Sequence, residues 1–190
     1  AWDSTAIWII FVTNLFSVYA FFSWTPAILT SLGLDQATAI RGALVFNLAG
    51  VRGTMVSSWV ISRKGSRWPL AAQGVLGIVA MLWLASIAAA SAASSAAPEI
   101  STLMWGIALA GLAITALQVG AYTVAAHVYP TECRSSGVGW AAGIGRLGGI
   151  ASAFSSGFIL AKSGGAGFFV VIAGIVALTL VGVLLVRRHI

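Results

Sequence analysis

Two stretches of this chain, residues 4–34 and 68–98, each run 31 residues without a charged side chain. Crossing the hydrocarbon core of a bilayer takes only about 20. Inside hydrocarbon every backbone N–H and C=O must be bonded within the spanning structure, so the choice narrows to helices or a closed barrel. Barrel strands are short and alternate in polarity, whereas these runs are long and continuously apolar. The reading is therefore an all-α integral membrane protein. Composition agrees: 59% of the 190 residues are hydrophobic and 7% charged, with mean hydropathy +1.01. A soluble domain carries about a quarter charged residues. The first run follows Asp3 rather than a basic segment and is too long for a signal-peptide core, so no secretory signal is expected. The chain begins at Ala1, without Met, which leaves open that it is a piece of a longer protein. One cysteine, Cys133, excludes an intrachain disulfide and suggests no metal.

Six apolar segments are expected as transmembrane helices, over residues 5–31, 40–62, 69–92, 100–126, 137–161 and 167–186. Pro26 and Gly33 close the first, "RKGSR" the second, and "KSGGAG" separates the last two. An even number of crossings puts both termini on one side. Arg63, Lys64, Arg67, Arg134, Arg187 and Arg188 fall on that side, against Arg41 and Lys162 on the other. By the positive-inside rule both termini are expected to be cytoplasmic, in a multi-pass protein of the inner (plasma) membrane. The net charge of +6 thus reads as topology and contact with the lipid bilayer, and no nucleic-acid partner is expected.

The two remaining cations, Arg52 and Arg146, cannot sit in loops. The uncharged stretches beside them, Gly42–Val51 and Gly53–Ser62, then Ser135–Gly145 and Leu147–Ala161, are each too short to span. Both arginines therefore belong inside helices, where burial costs about 2.5–3.5 kcal/mol on insertion scales. Each needs a partner or water, yet no Asp or Glu lies deep in any span. An ion pair across the bundle is one reading for each. A cation that binds an anionic solute is the other, favoured for Arg146 because a permanently charged planar fork suits carboxylates.

"GWAAGIGRLGG" contains Gly143-x-Gly145-x-x-Gly148, which matches the spacing of a dinucleotide-binding loop. That reading needs a preceding strand and a downstream acid, and no Asp or Glu follows Gly148. The glycines instead recur with Ala141 every fourth residue, as Gly137, Gly145 and Gly149, a smooth face for close helix contact. Arg146 points about 100° from it. Asn14, Tyr19, Trp24, Asn47, Gln118 and Tyr122 are the other polar or amphipathic groups in the spans, expected to face inward either as interhelical hydrogen bonds or as solute contacts. The third span offers little beyond Gln73 and the sixth little beyond Thr179, so both are expected to face lipid. Polarity thus repeats with a three-helix period, as in two three-helix inverted repeats. His127, near the end of span four, reads as an interfacial hydrogen-bonder or a proton-coupling group. There is no nucleophile–base–acid set, no metal cluster and no cofactor motif, so an enzyme is not expected.

"YPTECRSSGVGWAAGIGRLGGI", residues 129–150, closely resembles the link between the tenth and eleventh helices of major facilitator superfamily transporters, most like the aromatic acid:proton symporter branch. Tyr129-Pro130-Thr131, Arg134, Gly137-x-Gly139-Trp140 and Gly143-x-Gly145-Arg146 carry the likeness. "NLAGVRGTMVSSWVISRKGSR" is similar to the superfamily signature between its eighth and ninth helices, with Gly53, Arg63, Gly65 and Arg67 in register and Ser62 where the family usually has Asp. The resemblance implies that residues 1–190 are the C-terminal six-helix half, helices seven to twelve, of a twelve-helix transporter. It implies proton-coupled uptake of a small organic anion, an aromatic carboxylate, with the acidic partners in the missing N-terminal half. Arg146 would then line the cavity with Arg52, Asn14, Tyr19, Trp24, Asn47, Gln118 and Tyr122. Arg134, His127, Arg63 and Arg67 would serve gating and coupling. Another solute (a sugar, metabolite or drug), or a membrane half that does not transport, are the alternatives.

Overall fold

The computed structural model describes residues 2–94 and 98–187; Arg188 and His189 lie outside the described residues. It contains five helices: α1 Trp2–Ser31, α2 Gln36–Lys64, α3 Arg67–Ser94, α4 Ile100–Val128 and α5 Arg134–Leu185. All five are long and apolar enough to cross a membrane. The first four match the first four expected spans to within a few residues. The expected loop at "KSGGAG" is the correction, making the count five rather than six. The helix runs through that segment to a length of 52 residues, and Gly164 alone leaves helical angles, at φ 64°, ψ −173°. Glycine reaches that left-handed region at little cost, so one residue suffices to break the rod.

The break reverses the chain. Along the first arm of α5 (residues 134–163), Gly145 lies against Phe11 and Leu15 and Gly157 against Trp24, so this arm runs parallel to α1. Along the second arm (165–185), Phe169 meets Phe21, Thr179 meets Thr13 and Gly182 meets Ile10, so that arm runs antiparallel. The pair α2 and α4 repeats the parallel arrangement, with Gly42 against Ile107, Gly50 against Thr115 and Gly120 against Ile61. In both pairs glycines let the backbones touch. A methyl group at Gly148 would fall on the Val12 carbonyl oxygen, and one at Gly111 on that of Phe46. The small face of residues 137–149 thus serves close helix contact.

Helix ends follow local chemistry. After α1, Gly33 at φ 85° donates to Thr30 O at 3.0 Å and Leu34 N to Leu29 O at 3.2 Å, a Schellman stop. Asp35 then caps α2 by accepting from Thr38 N at 3.2 Å. Glu99, before α4, accepts instead from the hydroxyls of Ser101 (2.6 Å) and Thr102 (2.9 Å).

Trp2 Nε1 donates to Leu185 O at 3.3 Å and Arg187 N to Asp3 at 2.8 Å, so the first and last described residues share one end of the bundle. An apolar cluster at that end gathers Ile7, Ile61, Leu70, Val124, Ala141 and Val183, and a larger one at the far end gathers Phe21, Phe46, Met81, Leu84, Leu103 and Phe168. Where the two meet lies a polar layer: Thr179 Oγ1 bonds Thr13 Oγ1 at 2.8 Å and Asn14 Nδ2 bonds Gln118 Oε1 at 2.7 Å.

Candidate functional site

Arg146 sits in the first arm of α5, one residue past Gly145, whose Cα faces Phe11 and Leu15. It is exposed, and no hydrogen bond or ion pair ties it to another described residue. Gly149, Ala153 and Gly157 continue the stripe that Arg146 begins, at helical spacings of three, four and four. Aromatic rings occupy the two glycine positions. A methyl at Gly149 would stand 2.9 Å from Tyr19 Cδ2, and one at Gly157 would stand 2.7 Å from Trp24 Cη2. The absent side chains at 149 and 157 are what admit the two rings. A free guanidinium therefore lies about one helical turn from a tyrosine that is 47% exposed. That arrangement can hold an anion together with a flat ring.

A second cluster adjoins it through Phe11. The Phe11 ring meets Tyr122 edge-on, with centroids 4.8 Å apart. One turn further along each helix, Asn14 and Gln118 bond one another. Asn14 is fully buried, and its Nδ2 also reaches Ile114 O at 3.5 Å. Asn14 Oδ1 and Gln118 Nε2 remain buried without a partner, as does Thr115 Oγ1 beside Gly50. Burying polar atoms unpaired is costly, and here each of the two bonded amides keeps one unmatched atom.

The other expected site residues lie apart from these clusters. Asn47 is exposed and donates to Ala43 O of its own helix at 2.8 Å. Arg52 is exposed with no partner among the described residues. It stands five positions after Asn47, so the two point about 140° apart and share no face. Arg63 stacks on Trp59 at 4.7 Å, while Ser62, standing where an Asp would grip the turn, bonds only Trp59 O at 2.8 Å. Arg67 opens α3 and is exposed. Arg134 Nε donates to Tyr129 O at 3.4 Å, and the Tyr129 ring covers Gly137. His127 is exposed in the last turn of α4.

Sequence reasoning does not pair Thr13 with Thr179. Thr179 is fully buried against α1, and the two hydroxyls look in sequence like neutral residues of an apolar span. Gln73 likewise turns inward, donating to Ser57 Oγ at 2.6 Å. The one available signal is a polar atom in an apolar run, which gives no partner.

Asp35 and Glu99 titrate below the ordinary carboxylate range. The Thr38 side chain is the main cause for Asp35, and the Ser101 hydroxyl, then Thr102, for Glu99. Among the described residues no group of His, Cys, Asp and Glu could hold a metal.

Comparison with known proteins agrees with this geometry. The family model described as "Sugar (and other) transporter" matches residues 4–187. A gallate transporter of Pseudomonas putida is 28% identical over 97% of this chain and 39% of its own length. The niacin transporter NiaP of Acinetobacter baylyi is 30% identical over 78% of this chain and 32% of its own. This chain thus spans about a third to two fifths of the length of these relatives. Among solved structures, a peptide transporter POT (E310Q mutant) in complex with alafosfalin superposes with TM-score 0.74, at 17% identity, over 97% of this chain and 38% of that one.

Proposed function

This chain belongs to the sugar (and other) transporter family of the major facilitator superfamily, a family of transporters and not of enzymes, and from that premise we propose that it is the C-terminal half of a proton-coupled importer of small aromatic carboxylates. The observation that carries the reading is Arg146, an unpaired, exposed guanidinium inside an apolar helix, one turn from the Tyr19 ring. The gallate and niacin specificities of the relatives point to the same class of solute.

In this reading the two arms of α5 each cross the membrane, giving six crossings and two three-helix repeats. The parallel pairs α1 with the first arm and α2 with α4 support that, because they are related as the repeats would be. Both termini face the cytoplasm, with Arg63, Lys64, Arg67, Arg134 and Arg187 gathered at that end and Arg41 and Lys162 at the other. The N-terminal half supplies the carboxylates that carry protons and that meet Arg52 and Arg146. The solute's carboxylate binds Arg146 and its ring lies among Tyr19, Trp24 and Tyr122. Asn14 and Gln118 lie deeper. Arg134, His127, Arg63 and Arg67 sit at the cytoplasmic edge, where rocking of the halves opens and closes the path.

The test is uptake of a benzoate-type acid by the full-length transporter in liposomes under an imposed proton gradient. Removing one partner of a desolvated charge pair costs roughly 2–5 kcal/mol, so Arg146→Ala should slow uptake by about 30-fold or more. Arg146→Lys should recover part of it, as a point charge without the fork. Undiminished uptake by Arg146→Ala would remove Arg146 from the site. The family description admits a neutral sugar as the solute; competition that is strong with unlabelled sugars and absent with aromatic acids would favour that instead.

A further inference from the structure

The turn between α2 and α3 carries Arg63, Lys64 and Arg67 within five residues, all exposed, and no acid pairs with any of them among the described residues. Beside it, between α2 and α3, a cleft of about 220 Å³ adjoins an open apolar shelf on α3, the two sharing Ala72 and Leu76. Together they form a groove along α3 from Trp68 and Pro69 to Val79, opposite Gly53 of α2. Eleven residues separate Trp68 from Val79, which on a helix is about 16 Å. That is close to half of the roughly 30 Å hydrocarbon core, the depth of one leaflet. The wall is apolar apart from Ser57 and Gln73. Trp68, 77% exposed, stands at the mouth between the cations and the groove, where an amphipathic ring marks the interface. Three cations without an acidic partner, at one end of an apolar slot one leaflet deep, match one chemistry.

We propose that this groove is a binding site for an anionic phospholipid, its phosphate held by Arg63, Lys64 and Arg67 and one acyl chain laid along α3 past Ala72. The cations supply the preference for anionic headgroups; the groove distinguishes a lipid from a free anion.

The site can be tested with the protein in phosphatidylcholine nanodiscs containing a minority of lipid brominated on its acyl chains. The Trp68 contribution to fluorescence is isolated by comparison with Trp68→Phe. Brominated phosphatidylglycerol should quench Trp68 more strongly than brominated phosphatidylcholine. Each cation near an anionic surface contributes enough for about a fivefold preference, so Arg67→Gln should lower the relative affinity about fivefold, and the Arg63, Lys64 and Arg67→Gln triple variant should abolish it. Ala72→Phe, which fills the groove, leaves the charges and adds no indole, should also reduce the Trp68 quenching and provides a second reading if the triple variant does not fold. Equal quenching by the two brominated lipids would overturn the site. So would a preference that survives both variants. Displacement of the lipid by soluble glycerol phosphate would show an anion site without a role for the groove, and would overturn it equally.

Discussion

Gly148→Ala tests a close backbone contact between α1 and the first arm of α5. The added methyl would fall on the carbonyl oxygen of Val12, with Val12 C at 2.9 Å and Phe16 N at 3.2 Å. All three are backbone atoms, so no side-chain rotation relieves the clash and α1 must move from the first arm of α5. Overpacking of this kind costs about 1–3 kcal/mol. Gly143→Ala is the matched control, in the same arm but with nothing within 4 Å of the new methyl. Both variants gain about 0.5–1 kcal/mol in helix preference, so the difference between them isolates the clash. For a chain of this length 1 kcal/mol moves Tm by about 2–4 °C. Gly148→Ala should therefore melt about 2–12 °C below Gly143→Ala in thermal unfolding of the detergent-solubilised protein. Equal melting temperatures would refute the claim that glycine at 148 is required by backbone proximity.

Two further outcomes follow from the polar layer and the caps. Asn14→Leu should destabilise by about 1–3 kcal/mol, because Gln118 loses its partner while staying half-buried; the Asn14→Leu, Gln118→Leu pair should cost less than the sum of the singles in a double-mutant cycle, and simple additivity would mean the amides do not interact. Thr38 holds the Asp35 carboxyl below its ordinary range and Ser101 does the same for Glu99. Their stabilisation is present above the unfolded-state values and is lost as pH falls through the lower folded values. Unfolding measured between about pH 5 and 2 should show Asp35→Asn and Glu99→Gln flattening the acid loss of stability, and curves parallel to the parent would mean that these carboxylate bonds contribute nothing to it.

Much of this architecture is legible because hydrocarbon leaves few choices. Long uncharged runs specify the helices, Gly33 and Gly65 mark two stops, and the need to keep Arg52 and Arg146 out of short loops places both within helices. "KSGGAG" reads as a loop because glycine and serine are loop chemistry. Only one of those residues has to leave helical angles for the chain to turn back, and sequence does not say which. Tyr19 and Trp24 are legible as amphipathic rings, but their seats over Gly149 and Gly157 depend on how α1 crosses α5. Asn14 and Gln118 are each visible as an amide in an apolar span. The pairing of Thr13 with Thr179 is not, because a hydroxyl can bond its own helix and needs no distant partner, as Thr13 does to Ile9 O at 2.7 Å. Asn47 and Arg52 fall in the same expected cavity, and helical periodicity alone sets them apart.

The Asn14–Gln118 bond joins residues 104 positions apart, and this has a consequence for biosynthesis. Ribosomes add about 5–20 residues per second, so Asn14 is made about 5–20 s before the amide that will satisfy it. The first arm of α5, against which α1 packs most closely, arrives later still. During that interval α1 cannot complete its packing, and its buried amide must be sheltered by water, by lipid headgroups or by the insertion machinery. A ribosome pause within α3 would lengthen that exposure, so the order of synthesis makes the early helix the vulnerable one.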